Sequence, residues 1–530
     1  MKVGTRDSEL ALRQTDIFVE ALKSLHPDCS IEIKSMRSSG DLDLKSPLDK
    51  LQGFGAFVRE LDAALLDGSI DVAVNSMKDM PIDIPEGLCV PAVLPRAAIA
   101  DVSLPKALKD LPDGSVVGTS SIRRASMIKD MYPGLKTTVL RGNVRTRMAK
   151  LDAGDYDTIV LAKAGLDRLG VGREMHVMDP EIFVPAPAQG AIAIVCRSDD
   201  ADTIELLKGL NDPVTRAEVD AERHLMKLMG AGCSSPIGIN AKVIDGMIHI
   251  NAVSYDTGKR TEFKGRMPVG SSHYILEDAV RMLKGDARGH VYLVGAGPGD
   301  LGLMTVKGVE LLRSADVIVY DALADHSLLD LNPYAEKINA GKRSSNHIMK
   351  QDDTNSLLAE YGKKGKIVVR LKGGDPFLFG RGAEEAAVLR KADVPVSVVP
   401  GVSSSIAVPE LAGVPVTHRD HSSMVTILTG HGKAGTDGVD WVNAAAIPGT
   451  LVILMGMDNA QEISEGLIRG GRPRDQPVSV TTDGARPEQR TETATLEELP
   501  RMIKEKGLKS PGIIVIGDVV TERSILGDMI

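Results

Sequence analysis

Arginines, one aspartate and one cysteine are the residues of the first half that could do chemistry. Arg6 stands in GTRDS, Arg123 and Arg124 in GTSSIRR, Arg141 and Arg147 in RGNVRTR, and Arg168 in AGLDRLG. Arginine offers carboxylates a bidentate fork, so such a set suits a polyanionic organic ligand; as single residues these arginines equally fit solvated helix faces. Thr119, Ser120 and Ser121 precede the Arg123–Arg124 pair where a helix should begin, bringing hydroxyls, free amides and a favourable dipole. In VNSMKDMP a strand ends just before Lys78 and Asp79, at the edge where open α/β sheets bind ligands. Asp79 there could exchange a proton or stabilise a developing cation; an N-cap or ion-pair role is the alternative. Cys29, Cys89 and Cys196 adjoin apolar runs and read as inert core thiols. Cys233 lies in GAGCSS, a polar and flexible setting that suits a reactive or covalently occupied thiol.

The second half carries three glycine-rich turns, each after a strand-like run: VGAGPGD at 294–300, KGGDP at 372–376 and PGVSS at 400–404. The first departs from the dinucleotide fingerprint, because its sixth position is Asp300 and Pro298 stiffens the turn. Three such turns could instead bring backbone close to one adenosyl ligand. His418-Arg419-Asp420 resembles a kinase catalytic loop, but neither a glycine-rich kinase loop nor D-F-G accompanies it.

The elements that must position these residues alternate in type. Strand-like runs at 70–74, 115–118 and 158–162 are separated by amphipathic segments at 57–66 and 121–131, which reads as parallel α/β layers. Runs at 241–244 and 247–254 flank Asp245-Gly246, a hairpin signal; another turn at 256–258 and a helix at 272–283 complete a small α+β unit. The polar stretch KGDARG at 284–289 is the best linker in the chain. A second α/β series then begins at His290, with strands expected at 291–294, 317–320, 367–371, 396–399, 425–429, 451–455 and 513–516.

The chain has 530 residues, 43% hydrophobic and 25% charged, which is ordinary globular composition and enough for three to five domains. A net charge of −9 without any basic run argues against a nucleic-acid binder. No apolar stretch approaches the ~18 residues of a membrane span, and MKVGTRDSEL does not read as a secretory signal. Four cysteines without a C-x-x-C pair exclude a disulfide scaffold or zinc ribbon and fit a reducing cytoplasm.

GTRDS, VNSMKDMP, GTSSIRR, LRGNVRTR, LAKAGLDRLG, PAPAQGAIAI and GAGCSSPIG follow one another as in hydroxymethylbilane synthase (porphobilinogen deaminase), which residues 1–286 therefore resemble. The resemblance implies two periplasmic-binding-like α/β domains and a small α+β domain at about 215–286. It implies a dipyrromethane cofactor held through a thioether, here on Cys233, and makes Asp79 the catalytic aspartate. Lys78 lies beside it as a second catalytic candidate. Arg6, Arg123, Arg124, Arg141, Arg147 and Arg168 would hold substrate carboxylates, with Ser8, Ser76, Thr119, Ser120 and Ser121 as further substrate-binding candidates in the same motifs. Two positions depart from the pattern: Phe54 replaces the lysine of the usual G-K-G-x-F loop, and Asn75 replaces a histidine.

Residues 290–530 resemble the tetrapyrrole methylases, and uroporphyrinogen-III C-methyltransferase in particular, through VYLVGAGPGDLGLMT, VIVYDAL, GKRSSNH, VVRLKGGDPFLFGRGAEE, VPGVSSSIAVPELAGVPVTHRDH and LMGM. The implied fold is two α/β subdomains in a homodimer. S-adenosylmethionine contacts would fall on Pro298, Gly373, Gly374, Asp375, Leu378, Ser403, Ser404, Met455 and Gly484, and acid/base candidates on Asp321 and Lys342. Ala322 departs from the arginine usual after Tyr-Asp. Together the resemblances imply a fusion of two tetrapyrrole enzymes, with no metal required by the first. A separate uroporphyrinogen-III synthase would cyclise the linear intermediate between the two steps. The alternatives are a non-catalytic anion-binding module in the first half, and a methylase acting on a later precorrin.

Overall fold

A computed structural model of the chain describes residues 1–36, 58–232, 235–321, 326–341, 350–431 and 438–529. The chain divides into two compact units, Met1–Ala287 and Arg288–Ile530.

The first unit contains strands β1 (Lys2–Arg6), β2 (Glu32–Met36), β3 (Val72–Ser76), β4 (Leu88–Val93), β5 (Asp101–Leu104), β6 (Val116–Gly118), β7 (Lys136–Thr138), β8 (Thr158–Ala162), β9 (His176–Val177), β10 (Ile192–Arg197), β11 (Ile237–Ile244), β12 (Met247–Ser254) and β13 (Thr261–Pro268). They form two five-stranded sheets, ordered β2-β1-β3-β10-β4 and β7-β6-β8-β5-β9, and a three-stranded sheet β11-β12-β13. The first two are mixed, which corrects the expectation of parallel layers. β1 pairs in parallel with β2 and β3, but β10 runs antiparallel between β3 and β4. The chain leaves the first sheet after β4, builds the second, and re-enters as β10, so the returning strand lies opposite to its neighbours. Helix–strand alternation reports each crossover and is blind to that return. The hairpin at Asp245-Gly246 is present, with Ile244 opposite Met247, and its first strand begins at Ile237, earlier than expected.

Local chemistry explains the elements that carry the site. Helix Glu9–Leu25 starts at Ser8, whose Oγ accepts from the Ala11 amide, and buries Ala11, Thr15, Phe18 and Leu22 on one stripe. β3 begins two residues later than expected, because Asp71 is taken by the Lys2 amide through its carboxylate at 2.7 Å. Ser76 is thereby the last strand residue, and Met77–Asp79 forms a 3-10 turn directly past it.

The second unit contains β14 (His290–Gly295), β15 (Val317–Tyr320), β16 (Glu336–Asn339), β17 (Ile367–Lys372), β18 (Val396–Val399), β19 (Val425–Thr429), β20 (Thr450–Leu454), β21 (Pro477–Thr482), β22 (Arg490–Thr495) and β23 (Gly512–Ile516). The sheet β16-β15-β17-β14-β18 is wholly parallel. Its central strands are buried, as a parallel sheet covered on both faces requires, and apolar apart from Arg370 and Lys372 in β17 and the edge residue His290 in β14. The other sheet, β19-β20-β23-β21-β22, is parallel only between β19 and β20.

Candidate functional sites

In the first unit, the ends of β1 and β3 open onto a pocket of about 80 Å³ lined by Arg6, Ser8, Gln14, Ser76, Lys78 and Asp79, among others. Asn75 also lines it; Gln14 and Asn75 are each only 4% exposed, and Gln14 Nε2 and Asn75 Nδ2 have no hydrogen-bond partner among the described residues. Orphaned buried donors facing a pocket suit a ligand that brings acceptors.

Lys78 Nζ donates to Gln189 Oε1 at 3.4 Å, and Gln189 Nε2 donates to Asp101 Oδ1 at 2.9 Å. Asp101, fully buried at the start of β5, receives Arg123 Nη2 at 2.8 Å and Arg124 Nη2 at 2.7 Å. Burial alone would raise the Asp101 pKa; the two guanidiniums hold it well below the usual carboxylate range. Burial pushes the Lys78 pKa down, with Arg124 and Arg123 adding to the effect against Asp79 and Asp101. Burial, then the neighbouring Arg124 and Arg141, lowers Arg147 to about 10, while Asp79 opposes the shift. Asp79, Lys78, Arg124, Arg141 and Arg147 therefore share one electrostatic neighbourhood, in which cations outnumber carboxylates. An added polyanion would relieve the repulsion.

Several predicted ligand-binding groups already have work inside the protein. Arg123 also donates to the Val184 carbonyl at 2.7 Å, and Arg124 to that of Val160 at 3.1 Å. Arg168 Nη2 holds the Gly190 carbonyl at 2.7 Å. Ser121 caps the helix Ile122–Met131 by accepting from the Arg124 amide, Thr119 Oγ1 accepts from the Ser121 amide, and Ser120 donates to the Leu140 carbonyl. Cys233 lies outside the described residues.

In the second unit the three glycine-rich turns leave the C-terminal ends of β17, β14 and β18, which are adjacent in the parallel sheet. Their backbones touch. A Cβ on Gly295 would stand 2.5 Å from Gly401 Cα, and one on Gly401 would stand 2.3 Å from the Gly374 carbonyl oxygen. Gly374 donates to the Gly297 carbonyl at 2.8 Å and receives the reverse bond at 3.3 Å. Asp375 binds the turns together: Oδ1 accepts from the Phe377 and Leu378 amides, and Oδ2 accepts from Gly401. Its carboxylate thus shapes the cradle. Ser403 caps the helix Ser404–Leu411, whose N-terminus opens at this same edge. Met455 follows β20 at φ +55° and is half exposed; Gly484 sits between Asp483 and Ala485, both also at positive φ. Backbone strain of this kind concentrates at ligand sites. An adenosyl cofactor fits this edge, because backbone replaces side chain wherever the turns meet.

Asp321 follows β15 on the same edge. Arg370 Nη2 donates to its Oδ1 at 2.5 Å, and Arg370 Nε and Lys372 Nζ reach the fully buried Glu385 at 3.0 and 3.1 Å. Lys372 lies 3.9 Å from Asp321. Burial and Arg370 push the Lys372 pKa down, against Glu385 and Asp321. The partly exposed Asp321 carboxylate is thus anchored from beneath by a buried charged pair. Lys342 lies outside the described residues, as do Phe54 and Ala322.

Family models match both halves: the dipyromethane cofactor binding domain of porphobilinogen deaminase over residues 1–205, its C-terminal domain over 216–271, and the tetrapyrrole (corrin/porphyrin) methylases over 290–500. A porphobilinogen deaminase of Macrococcus caseolyticus is 40% identical over 267 residues, covering 49% of this chain and 87% of that protein. An S-adenosyl-L-methionine-dependent uroporphyrinogen III methyltransferase of Methanosarcina barkeri is 48% identical over 243 residues, covering 45% of this chain and 95% of that protein. The chain belongs to both families. A siroheme synthase of Actinobacillus pleuropneumoniae is 46% identical over 233 residues, but the match spans only 48% of that protein. A solved uroporphyrin-III C-methyltransferase of Thermus thermophilus, complexed with S-adenyl homocysteine, aligns over 44% of this chain and 99% of its own at 39% identity and a TM-score of 0.39.

In the deaminase half no quoted motif contains Asp101 or Gln14, and Gln189 lies inside PAPAQGAIAI without having been singled out; what marks Asp101 and Gln189 is burial within a chain of hydrogen bonds spanning 88 residues between them and 111 from Gln189 to Lys78. In the methylase half, Arg370, Lys372 and Glu385 lie inside a quoted motif without having been singled out. Charged residues at alternating positions of an otherwise apolar strand were the available signal. Among the described residues no helix is long and apolar enough to cross a membrane.

Proposed function

We propose that the chain is bifunctional. Residues 1–286, with a small domain at about 215–286, join four porphobilinogens into hydroxymethylbilane with release of ammonia. Residues 290–530 transfer methyl groups from S-adenosylmethionine to C2 and C7 of uroporphyrinogen III, giving precorrin-2. The observation that supports this best is that each unit holds its own ligand edge: the Lys78–Asp79 turn amid an excess of cations, and three glycine turns in backbone contact.

In the first site, Asp79 stabilises positive charge on pyrrole nitrogens, while Arg6, Arg141 and Arg147 hold acetate and propionate groups. Arg123 and Arg124 act through Asp101, fixing the floor on which Lys78 rests. A dipyrromethane on Cys233 supplies the free α-position at which the chain grows. In the second site, the turns at Gly297, Gly374 and Gly401 place backbone groups against the cofactor, with Ser404, Met455 and Gly484 at its rim. S-adenosylmethionine supplies an electrophilic methyl group. Asp321, held in place by Arg370, takes part in moving the proton lost at C2 and C7.

Hydroxymethylbilane is linear and uroporphyrinogen III is cyclic, so a separate synthase must act between the two sites. We further infer a cytoplasmic homodimer formed through the methylase half. The test supplies each half with its own substrate. Porphobilinogen should yield hydroxymethylbilane, and uroporphyrinogen III with S-adenosylmethionine should yield a product carrying two added methyl groups at C2 and C7. Methylation at any other carbon would move the second half to a later precorrin.

A further inference from the structure

His418, His421 and Glu522 offer three ligand atoms that all lie within 4.8 Å of one another. Neither transfer reaction described above uses this group. The first two residues are spaced H-x-x-H on a tight turn. The His421 and Ser422 amides both donate to the His418 carbonyl, and the His418 amide donates back to Ser422. That turn sets the two imidazoles side by side, with centroids 4.9 Å apart and planes inclined by 34°. Glu522 arrives from 101 residues away, at the end of the 3-10 turn Asp518–Glu522 after β23, and its carboxylate lies 2.7 Å from His421 Nε2.

We propose that this trio is a binding site for one divalent transition-metal ion of the zinc class. A carboxylate–imidazole tether would account for His421 and Glu522 alone; it leaves unexplained why the turn brings a second imidazole to the same point. Two neutral imidazoles and one carboxylate are a donor set that zinc accepts, leaving a fourth position for water. Nitrogen donors select zinc, cobalt or nickel over magnesium or calcium, which take oxygen. Ligand atoms on a tetrahedral zinc stand about 3.3 Å apart, given bonds of about 2.0–2.1 Å. The His421–Glu522 pair must therefore open by about 0.6 Å, and the widest separation must close by about 1.5 Å, which side-chain rotation can supply. The Asp420 amide donates to His418 Nδ1 at 3.2 Å. A metal either displaces that long bond at Nδ1 or binds Nε2 once the amide turns away. Bound there, the ion clamps the loop leading into β19 to the turn that follows β23.

Cobalt(II) is the probe, since it reports its ligands by colour. The full-length chain, stripped with chelator and titrated with cobalt(II), should bind one equivalent showing visible d–d bands without thiolate charge transfer. Zinc should bleach those bands stoichiometrically. His421→Gln keeps a hydrogen bond to Glu522 and removes the imidazole; it should weaken binding at least tenfold while circular dichroism stays that of the parent. Glu522→Gln should weaken it as well. Absence of the bands, bands with thiolate charge transfer, or unaltered binding by a folded His421→Gln chain would each overturn the proposal.

Discussion

Asp101 shows how one carboxylate can govern a site it does not line. It pairs with both Arg123 and Arg124, and through Gln189 it fixes Lys78. Replacing it with Asn leaves two buried guanidiniums uncompensated, so Asp101→Asn should destabilise the first unit by about 3–5 kcal/mol in urea unfolding at neutral pH. The sign with pH follows from its depressed pKa. The folded value lies below the unfolded ~3.9, so the stabilisation is complete above about pH 4 and is lost as pH falls further. The gap between the parent and Asp101→Asn should accordingly narrow below about pH 4; a gap independent of pH would contradict the pairing. Asp79 sits on the exposed side of the same network. Asp79→Asn should leave stability within about 0.5 kcal/mol and lower the rate of hydroxymethylbilane formation by about 10²–10³-fold, the usual loss when an aligned electrostatic group is removed. Asp79 was visible in its motif, whereas Asp101 was not. Nothing in the residues beside Asp101 announces that Gln189, Arg123 and Arg124 will converge on it.

Among the elements, several strands were read residue for residue, whether buried like β8 or only half-buried like β19. The expected ranges 158–162, 317–320, 396–399 and 425–429 match β8, β15, β18 and β19. Direction was read poorly, because an antiparallel return such as β10 has the same local pattern as a parallel strand. The glycine turns were legible as turns; their mutual contact was not, since it follows from the strand order β17-β14-β18. That contact carries its own prediction. Gly401→Ala forces a methyl into the Gly374 carbonyl, and overpacking of this kind costs about 1–3 kcal/mol. S-adenosylmethionine affinity, measured by calorimetry, should fall by about tenfold or more, while hydroxymethylbilane formation is unchanged. Unaltered cofactor affinity would place the adenosyl site elsewhere.

At the scale of the whole molecule, each unit owns its sheets and its ligand edge: three sheets lie in Met1–Ala287 and two in Arg288–Ile530 among the described residues. Two self-contained units should fail independently, so Asp79→Asn should methylate uroporphyrinogen III at the parent rate. Loss of both activities on a single-site change would contradict that separation. On the proposed function, the first unit is a deaminase assembled around a pyrrole chain on Cys233. Intact mass spectrometry of the purified chain beside a Cys233→Ser variant decides whether that chain is there. The parent should be heavier than its polypeptide by two linked pyrrole units, either as isolated or after incubation with porphobilinogen, and Cys233→Ser should keep the bare polypeptide mass. A parent that remains at the bare mass after that incubation, or a Cys233→Ser chain that gains the same increment, would contradict it.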